Sequence, residues 1–375
     1  MRDPLPVLLL LPPAGASRAE RWVAAGRLAA ALDLVACLRR LEDLGPISCL
    51  ADEPEDRLAL SAAGVLPWSS PTAPFHFGRV LGEFAAAHPR QGMVYFGGAS
   101  APLATPHLLQ PSLAQVRRTE TPLALVNNYY STDWMIVSDA DRMLGFVEHL
   151  TGDNPLGWVL EHDAGIQTLG LPPSGGTRAD VDTPSDLLLL HGHPALGPAL
   201  RHFLEAAPAE SLAKIRGLKA VLTTPGKTLG VIGRSSSHLW RELERKGEFW
   251  VRLFVEERGM LANGRAARGE VRSLIGELVD LLGPAAFVAR LAEMADAVLW
   301  DTRVWMAHRR LWPSASDRFS ADLGWYDDVA DRDLRALAEA TDRAPIPLLC
   351  GGHGVVSGAG LALLESLGDD ASYQP

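Results

Sequence analysis

Residues 180–186 read Asp-Val-Asp-Thr-Pro-Ser-Asp, and an apolar run, Leu187–Leu190, follows directly. Three carboxylates this close repel one another unless a divalent cation, an arginine or a helix N-terminus lies among them. Thr183 suits an N-cap, Pro184 the first helical position and Asp186 the first turn, so a helix is predicted to begin here. Two readings follow from the residue types alone: a helix cap flanked by surface acids, or a metal site. The residues upstream weigh towards the second.

Strand-like and helix-like segments alternate ahead of this stretch. Val7–Leu11 reads as a strand and Arg18–Leu44 as a helical stretch, with an interruption expected near Gly26. Ile47–Ala51 reads as a strand, Phe77–His88 as a helix, Gly92–Phe96 as a strand, Thr105–Val116 as a helix and Pro122–Asn127 as a strand. This alternation is the pattern of a doubly wound, mostly parallel sheet, in which ligands bind beyond the carboxyl ends of the strands. Gly15, Gly97, Gly98 and Asn127 all fall at such ends. The opening run Pro6–Pro12 has no basic cluster before it, so a buried strand is expected there rather than a signal-peptide core.

The texture changes near residues 191–210. Further on, Thr228–Ile232, Phe249–Val255 and Ile346–Leu349 read as strands, and a long helical region is expected from Arg268 to about Leu311, broken at Gly283-Pro284. Asp301, Arg303 and His308 then fall on one helix, with Asp301 and His308 sharing a face. The expected fold class is α/β: a mostly parallel, doubly wound sheet over residues 1–205 and a second, helix-rich α/β domain over 206–375.

Composition bounds the function. The chain has 375 residues, a net charge of −10, 47% hydrophobic and 21% charged residues. Such a chain forms soluble globular domains and is a poor general binder of nucleic acid. No stretch approaches the ~20 apolar residues of a membrane helix, and a cytoplasmic location is expected. Cys37, Cys49 and Cys350 are odd in number and lie in apolar contexts, as buried thiols rather than a disulfide framework. The partner expected is a small molecule, with no nucleic acid and no membrane; self-assembly is left open.

Four loops carry candidate chemistry in the first half. Ala14-Gly15-Ala16-Ser17-Arg18 opens a helix, where backbone amides with Arg18 or Arg21 could hold a phosphate. Gly97-Gly98 would let a ligand approach the backbone. Asn127-Asn128-Tyr129-Tyr130-Ser131-Thr132-Asp133 offers amides, hydroxyls and rings suited to a nucleoside or sugar. The acidic stretch completes the set. In the second half, Gly233-Arg234-Ser235-Ser236-Ser237, Arg258 and Gly351-Gly352-His353-Gly354 load three strand exits, so a second ligand site is expected at Arg234, Ser235, Ser236, Arg258 and His353.

This ordered set resembles nucleotidyltransferases of the glycosyltransferase-A-like fold, in particular the molybdenum-cofactor and phospholactate guanylyltransferase groups. Ala14–Arg18 is similar to their triphosphate loop, Ala101-Pro102-Leu103 falls where they carry an acidic residue and a Pro-Leu pair, and Asp180–Leu187 looks like their late acidic segment. The resemblance covers about residues 5–195 and implies a nucleotide-diphospho-sugar-transferase-like sheet. It further implies a nucleoside triphosphate held by Gly15, Ser17, Arg18, Arg21, Gly97, Gly98, Asn127 and Asn128, with Mg²⁺ on Asp180 and Asp182. There are departures. No lysine precedes position 214, so Arg21 or Arg27 would substitute for the family's lysine, and Gly97–Ser100 contains no carboxylate to share the metal, a role that leaves Asp133 as the replacement. Two activities are therefore carried forward: Mg²⁺-dependent nucleotidyl transfer, and binding of a nucleotide or phosphosugar without transfer. A third places the chemistry in the second domain.

Overall fold

Leu5–Leu11 (β1) is apolar at every position because both of its faces are covered. Val7, Leu9 and Leu11 join one core with Leu34, Val35, Val94 and Phe96, while Leu8 points into a second with Phe84, Tyr95 and Met135. That two-residue period, apolar on both sides, belongs to a central strand. In this computed structural model, which describes residues 3–89 and 92–368, β1 sits inside a seven-stranded sheet. Its companions are β2 (Leu44–Ala51), β3 (Leu66–Pro67), β4 (Met93–Gly97), β5 (Leu123–Val126), β6 (Trp134–Val137) and β7 (Gln167–Gly170).

The strand order is β3-β2-β1-β4-β6-β5-β7, with β6 antiparallel to both neighbours and the other pairings parallel. The reversal of β6 follows from its connection. Only residues 127–133 separate it from β5, too few for the dozen or more that a parallel crossover needs. The order turns at β1: β2 and β3 build outward on one side and β4 begins the other, so the topological switch point lies between β1 and β4.

A second sheet holds β8 (Thr228–Gly233), β9 (Trp250–Val255), β10 (Ala297–Asp301) and β11 (Leu348–Gly351) in the order β11-β10-β8-β9, all parallel. Its switch point lies between β8 and β10. Leu229, Val231 and Leu299 face one core, and Ile232, Val298 and Trp300 the other. The fold class is thus α/β with a mostly parallel main sheet and a second, helix-rich region.

Three expectations are corrected. The helix Arg18–Leu38 runs through Gly26 without interruption; a side chain at Gly26 would collide with Leu187 and Phe203, so the glycine serves packing. The long helical region from Arg268 contains β10, so Asp301 ends a strand and Arg303 opens the next helix, Arg303–His308. A short strand buried on both faces has no alternation to separate it from a buried helix turn. Finally, the chain divides into compact units that are not sequential. One comprises Met1–Ala14, Arg27–Asp180 and Gly197–Leu200; the other comprises Gly15–Gly26, Val181–Leu196 and Arg201–Pro375. A single break at 205/206 was expected. Ala19, Leu188 and Leu189 instead belong to the same core as Leu229 and Val231.

No helix among the described residues is long and apolar enough to cross a membrane. Cys37, Cys49 and Cys350 are free thiols; burial pushes Cys37 up to about 11 and Cys49 and Cys350 up to about 12.

Candidate functional site

At the switch point of the seven-stranded unit, β4 runs into a turn with positive φ at Gly98 (29°), Ala99 (71°) and Ala101 (57°). An alanine in the left-handed region costs on the order of 1 kcal/mol, and such strain persists only where the surroundings impose it. Here Ala99, Ser100 and Ala101 are all buried. The turn is pinned by Gly98 N–H donating to the Leu10 carbonyl (2.7 Å), by Ser100 N–H to Gly97 (2.6 Å) and by the Ser100 hydroxyl to the Asp133 carbonyl (3.2 Å). Neither the Ala99 nor the Ala101 N–H meets an acceptor among the described residues. Buried amides are nearly always paired, so two open donors in one strained turn are unusual. Gly97 itself has a packing reason, since a side chain there would strike the Tyr95 hydroxyl.

The β5 exit is a self-contained clamp. The Asn127 carboxamide accepts from Asp133 N–H (2.9 Å) and Trp134 N–H (3.2 Å) and donates to the Asp133 carboxylate (2.7 Å). The Arg178 guanidinium donates to the Asn127 and Leu171 carbonyls; burial lowers its pKa and the nearby Asp133 opposes that. Asn128 closes the turn by accepting from the Thr132 hydroxyl (2.8 Å). Asp133, the expected replacement metal ligand, is therefore held by an amide beside an arginine. Aromatic surface does lie open beyond the clamp: Tyr130 is 82% exposed, and Trp158, 49% exposed, stacks on His162 with centroids 4.6 Å apart.

The other candidates, Asp180 apart, belong to the four-stranded unit. Ser17 and Glu20 form a reciprocal cap on the helix Arg18–Leu38: Glu20 N–H donates to the Ser17 hydroxyl (3.2 Å) and Ser17 N–H to the Glu20 carboxylate (3.0 Å). The Glu20 side chain lies where a Gly15 Cβ would be, and the Arg18 guanidinium sits 3.9 Å over the Trp325 ring. Arg21 is exposed. The amides expected to meet a phosphate are thus already met by a carboxylate of the same sign. The Ser-x-x-Glu spacing of that cap was readable in the sequence.

The acidic stretch also forms a cap. Asp186, with no exposed surface, accepts at Oδ2 from the Thr183 N–H (2.7 Å) and hydroxyl (2.9 Å), and Pro184 opens the helix Pro184–Leu189. Its Oδ1 lies against Gly354 without a hydrogen-bond partner, and the Ser185 hydroxyl donates to the Cys350 carbonyl. Burial, then the neighbouring Asp182, push the Asp186 carboxyl up to about 7. Asp182 is exposed and Asp180 half-buried. Among the described residues no three His, Cys, Asp or Glu side chains gather in a group that could hold a metal ion. Magnesium needs ionised hard oxygens. With Asp133 clamped to Asn127 and no carboxylate of its own, the β4 turn does not supply the hard oxygens of a resident Mg²⁺.

At the second switch point, Gly233 (φ 119°) ends β8 where a side chain would strike Asp301 at the end of β10. That close approach lets Arg234 grip Asp301 in two places, Nε to Oδ2 (2.6 Å) and Nη2 to Oδ1 (3.1 Å). Burial would raise the Asp301 carboxyl, but Arg234, His353 and Arg303 outweigh it and hold it below its ordinary value. Arg303 makes a parallel pair with Asp322 (2.9 and 2.5 Å). The His353 ring reaches solvent yet is crowded by protein; this desolvation, with Arg234 and Arg258, lowers its pKa, and it is hydrogen-bonded to the Arg234 backbone. Ser236 caps the helix Ser237–Lys246 by accepting from Leu239 N–H (3.2 Å). Arg234, Arg258 and His353 are thus brought together as expected. Asp301, Arg303 and Asp322 join them without having been foreseen, because β10 reads as helix.

No family model matches the chain, and no curated protein matches it. Among solved structures it is similar to a "putative nucleotide-diphospho-sugar transferase" from Desulfovibrio desulfuricans G20, at 14% identity over 53% of this chain and 94% of that one (TM-score 0.40). It is also similar to a cytidylyltransferase from Leptospira borgpetersenii serovar Hardjo-bovis, at 10% identity over 55% and 93% (TM-score 0.37). A third is CMP:2-keto-3-deoxy-manno-octonic acid synthetase complexed with CTP, at 15% identity over 49% and 95% (TM-score 0.34). Likenesses this distant do not extend to an activity.

Proposed function

We propose that the seven-stranded unit binds a nucleotide or phosphosugar at its β1/β4 switch point and does not perform Mg²⁺-dependent nucleotidyl transfer. One observation carries this reading: the β4 turn holds two open backbone donors, Ala99 and Ala101, in strained geometry, and no carboxylate. Open N–H groups in a positive-φ turn at a switch point suit a phosphate or ribose oxygen. The missing carboxylate removes the oxygen ligand that would place a metal beside it. Binding would relieve the two unmet donors, each of which costs roughly 1–3 kcal/mol when buried.

A thermal-shift and calorimetric screen of nucleoside triphosphates and nucleotide sugars, run with Mg²⁺ and with chelator, tests it. At least one ligand should raise the melting temperature equally in both conditions, without pyrophosphate release when phosphorylated acceptors are added, and Asp182→Ala should bind as the parent does. Metal-dependent pyrophosphate release that is lost in Asp182→Ala would restore the transferase reading. Absence of any stabilising ligand would remove the binding one.

A further inference from the structure

Four observations converge on the β8/β10 switch point. The Ser235 hydroxyl is 1% exposed and has no hydrogen-bond partner. A buried hydroxyl left unpaired costs roughly 1–3 kcal/mol, so one retained at a strand exit points to an acceptor or donor that the chain itself does not supply. Next to it begins the ten-residue helix Ser237–Lys246, whose N-terminus favours negative charge. Arg258, at the exit of β9, is exposed and has no carboxylate within ion-pair distance among the described residues. His353, at the exit of β11, is close enough to both Arg234 and Arg258 to feel their charge.

Each surrounding carboxylate has at least one partner; among the described residues Glu257 Oε2 alone of their oxygens is buried and unpaired. Asp301 is gripped by Arg234 and Asp322 by Arg303, while Glu257 pairs with Arg265 (2.9 Å) and Glu256 accepts from the Ser273 hydroxyl. Arg234 commits its Nε and Nη2 to Asp301, and in that grip it acts as a positioning residue for the loop. We infer that the four-stranded unit holds its own site for the phosphate group of a small molecule, formed by the Ser235 hydroxyl, the first turn of the helix Ser237–Lys246, Arg258 and His353. The site lies wholly within one unit and goes beyond the nucleotide reading of the other.

The test uses the full chain, with inorganic phosphate as the probe and chloride at matched ionic strength as control, followed by titration calorimetry and melting temperature. The parent should bind phosphate. Arg258→Ala and Ser235→Ala should each weaken it at least tenfold while melting no lower without ligand, since the first removes an exposed side chain and the second an unpaired hydroxyl. An Arg142→Ala variant, which removes an exposed arginine of the other unit, should leave phosphate affinity unchanged. Parallel titrations with a nucleoside monophosphate and a hexose phosphate identify the carrier: tighter binding of either than of phosphate supports the site and names the group attached. No phosphate binding by the parent, or unaltered binding by both Arg258→Ala and Ser235→Ala, overturns it, whatever the nucleotide screen returns.

Discussion

Asp186 has the least expected chemistry of any side chain in the acidic stretch. Arg234 with Asp301 and Arg303 with Asp322 form two balanced buried pairs, and a further ionised carboxylate beside them would leave the cluster with an uncompensated negative charge. A carboxyl held up to about 7 avoids this by keeping its proton. In an unfolded chain an aspartate titrates near 4. Between those values the folded chain keeps a proton that the unfolded chain has released, so this group's contribution to stability is greatest below pH 4, declines as the pH rises and levels off above 7. Asp186→Asn removes the decline. Relative to the parent, the variant should gain about 3 kcal/mol between pH 5 and pH 8, measured as the change in urea-unfolding free energy at the two pH values. Equal differences at both would show that Asp186 is ionised in the fold. The cap itself was legible in the Thr-Pro-x-Asp spacing. The proton was not, because it depends first on burial, and the chain that buries Asp186, at Gly354, lies more than a hundred residues away in sequence.

Among the elements, the helix Arg18–Leu38 shows how a correct local reading can lead to a wrong chemical one. A strand exit followed by glycine, serine and arginine marks a helix N-terminus whether the amides bind a ligand or a side chain. What decides between them is Glu20, three residues after Ser17. Glu20→Ala should lower unfolding free energy by about 1 kcal/mol, whereas Glu20→Gln, which keeps an acceptor and loses only the charge–dipole term, should lose about 0.5 kcal/mol; denaturant midpoints distinguish the two. Strand β10 is the opposite case. Ala297-Val-Leu-Trp-Asp301 is short and fully buried, so periodicity has nothing to report, and the sequence pattern puts Asp301 on a helix face rather than on the floor of a switch point. In the first sheet β1, β2, β4 and β5 were legible because turn residues bound each of them; β3, β6 and β7 were missed because they have only two to four residues each.

For the whole molecule, an α/β architecture with two sheets was legible, but the division of the chain was not. Composition changes near residue 205, and the cores do not follow it. The unit built around β8 to β11 also needs Ala19, Leu188 and Leu189 in its interior and Asp186 against Gly354. A fragment of residues 206–375 therefore lacks part of its own core and should be expressed as an aggregating or loosely packed chain without a cooperative melt. Supplying residues 15–26 and 181–205 within the same chain should restore one. A sharp calorimetric transition in the isolated fragment would show those segments to be dispensable. The same discontinuity governs events on the ribosome. Residues 15–26 precede the last of the strands they pack with, β11, by some three hundred residues, which are added only at the rate of translation. Trp22 and its apolar neighbours stay uncovered for that interval, so nascent chains stalled before β8 should be the form that chaperones hold longest.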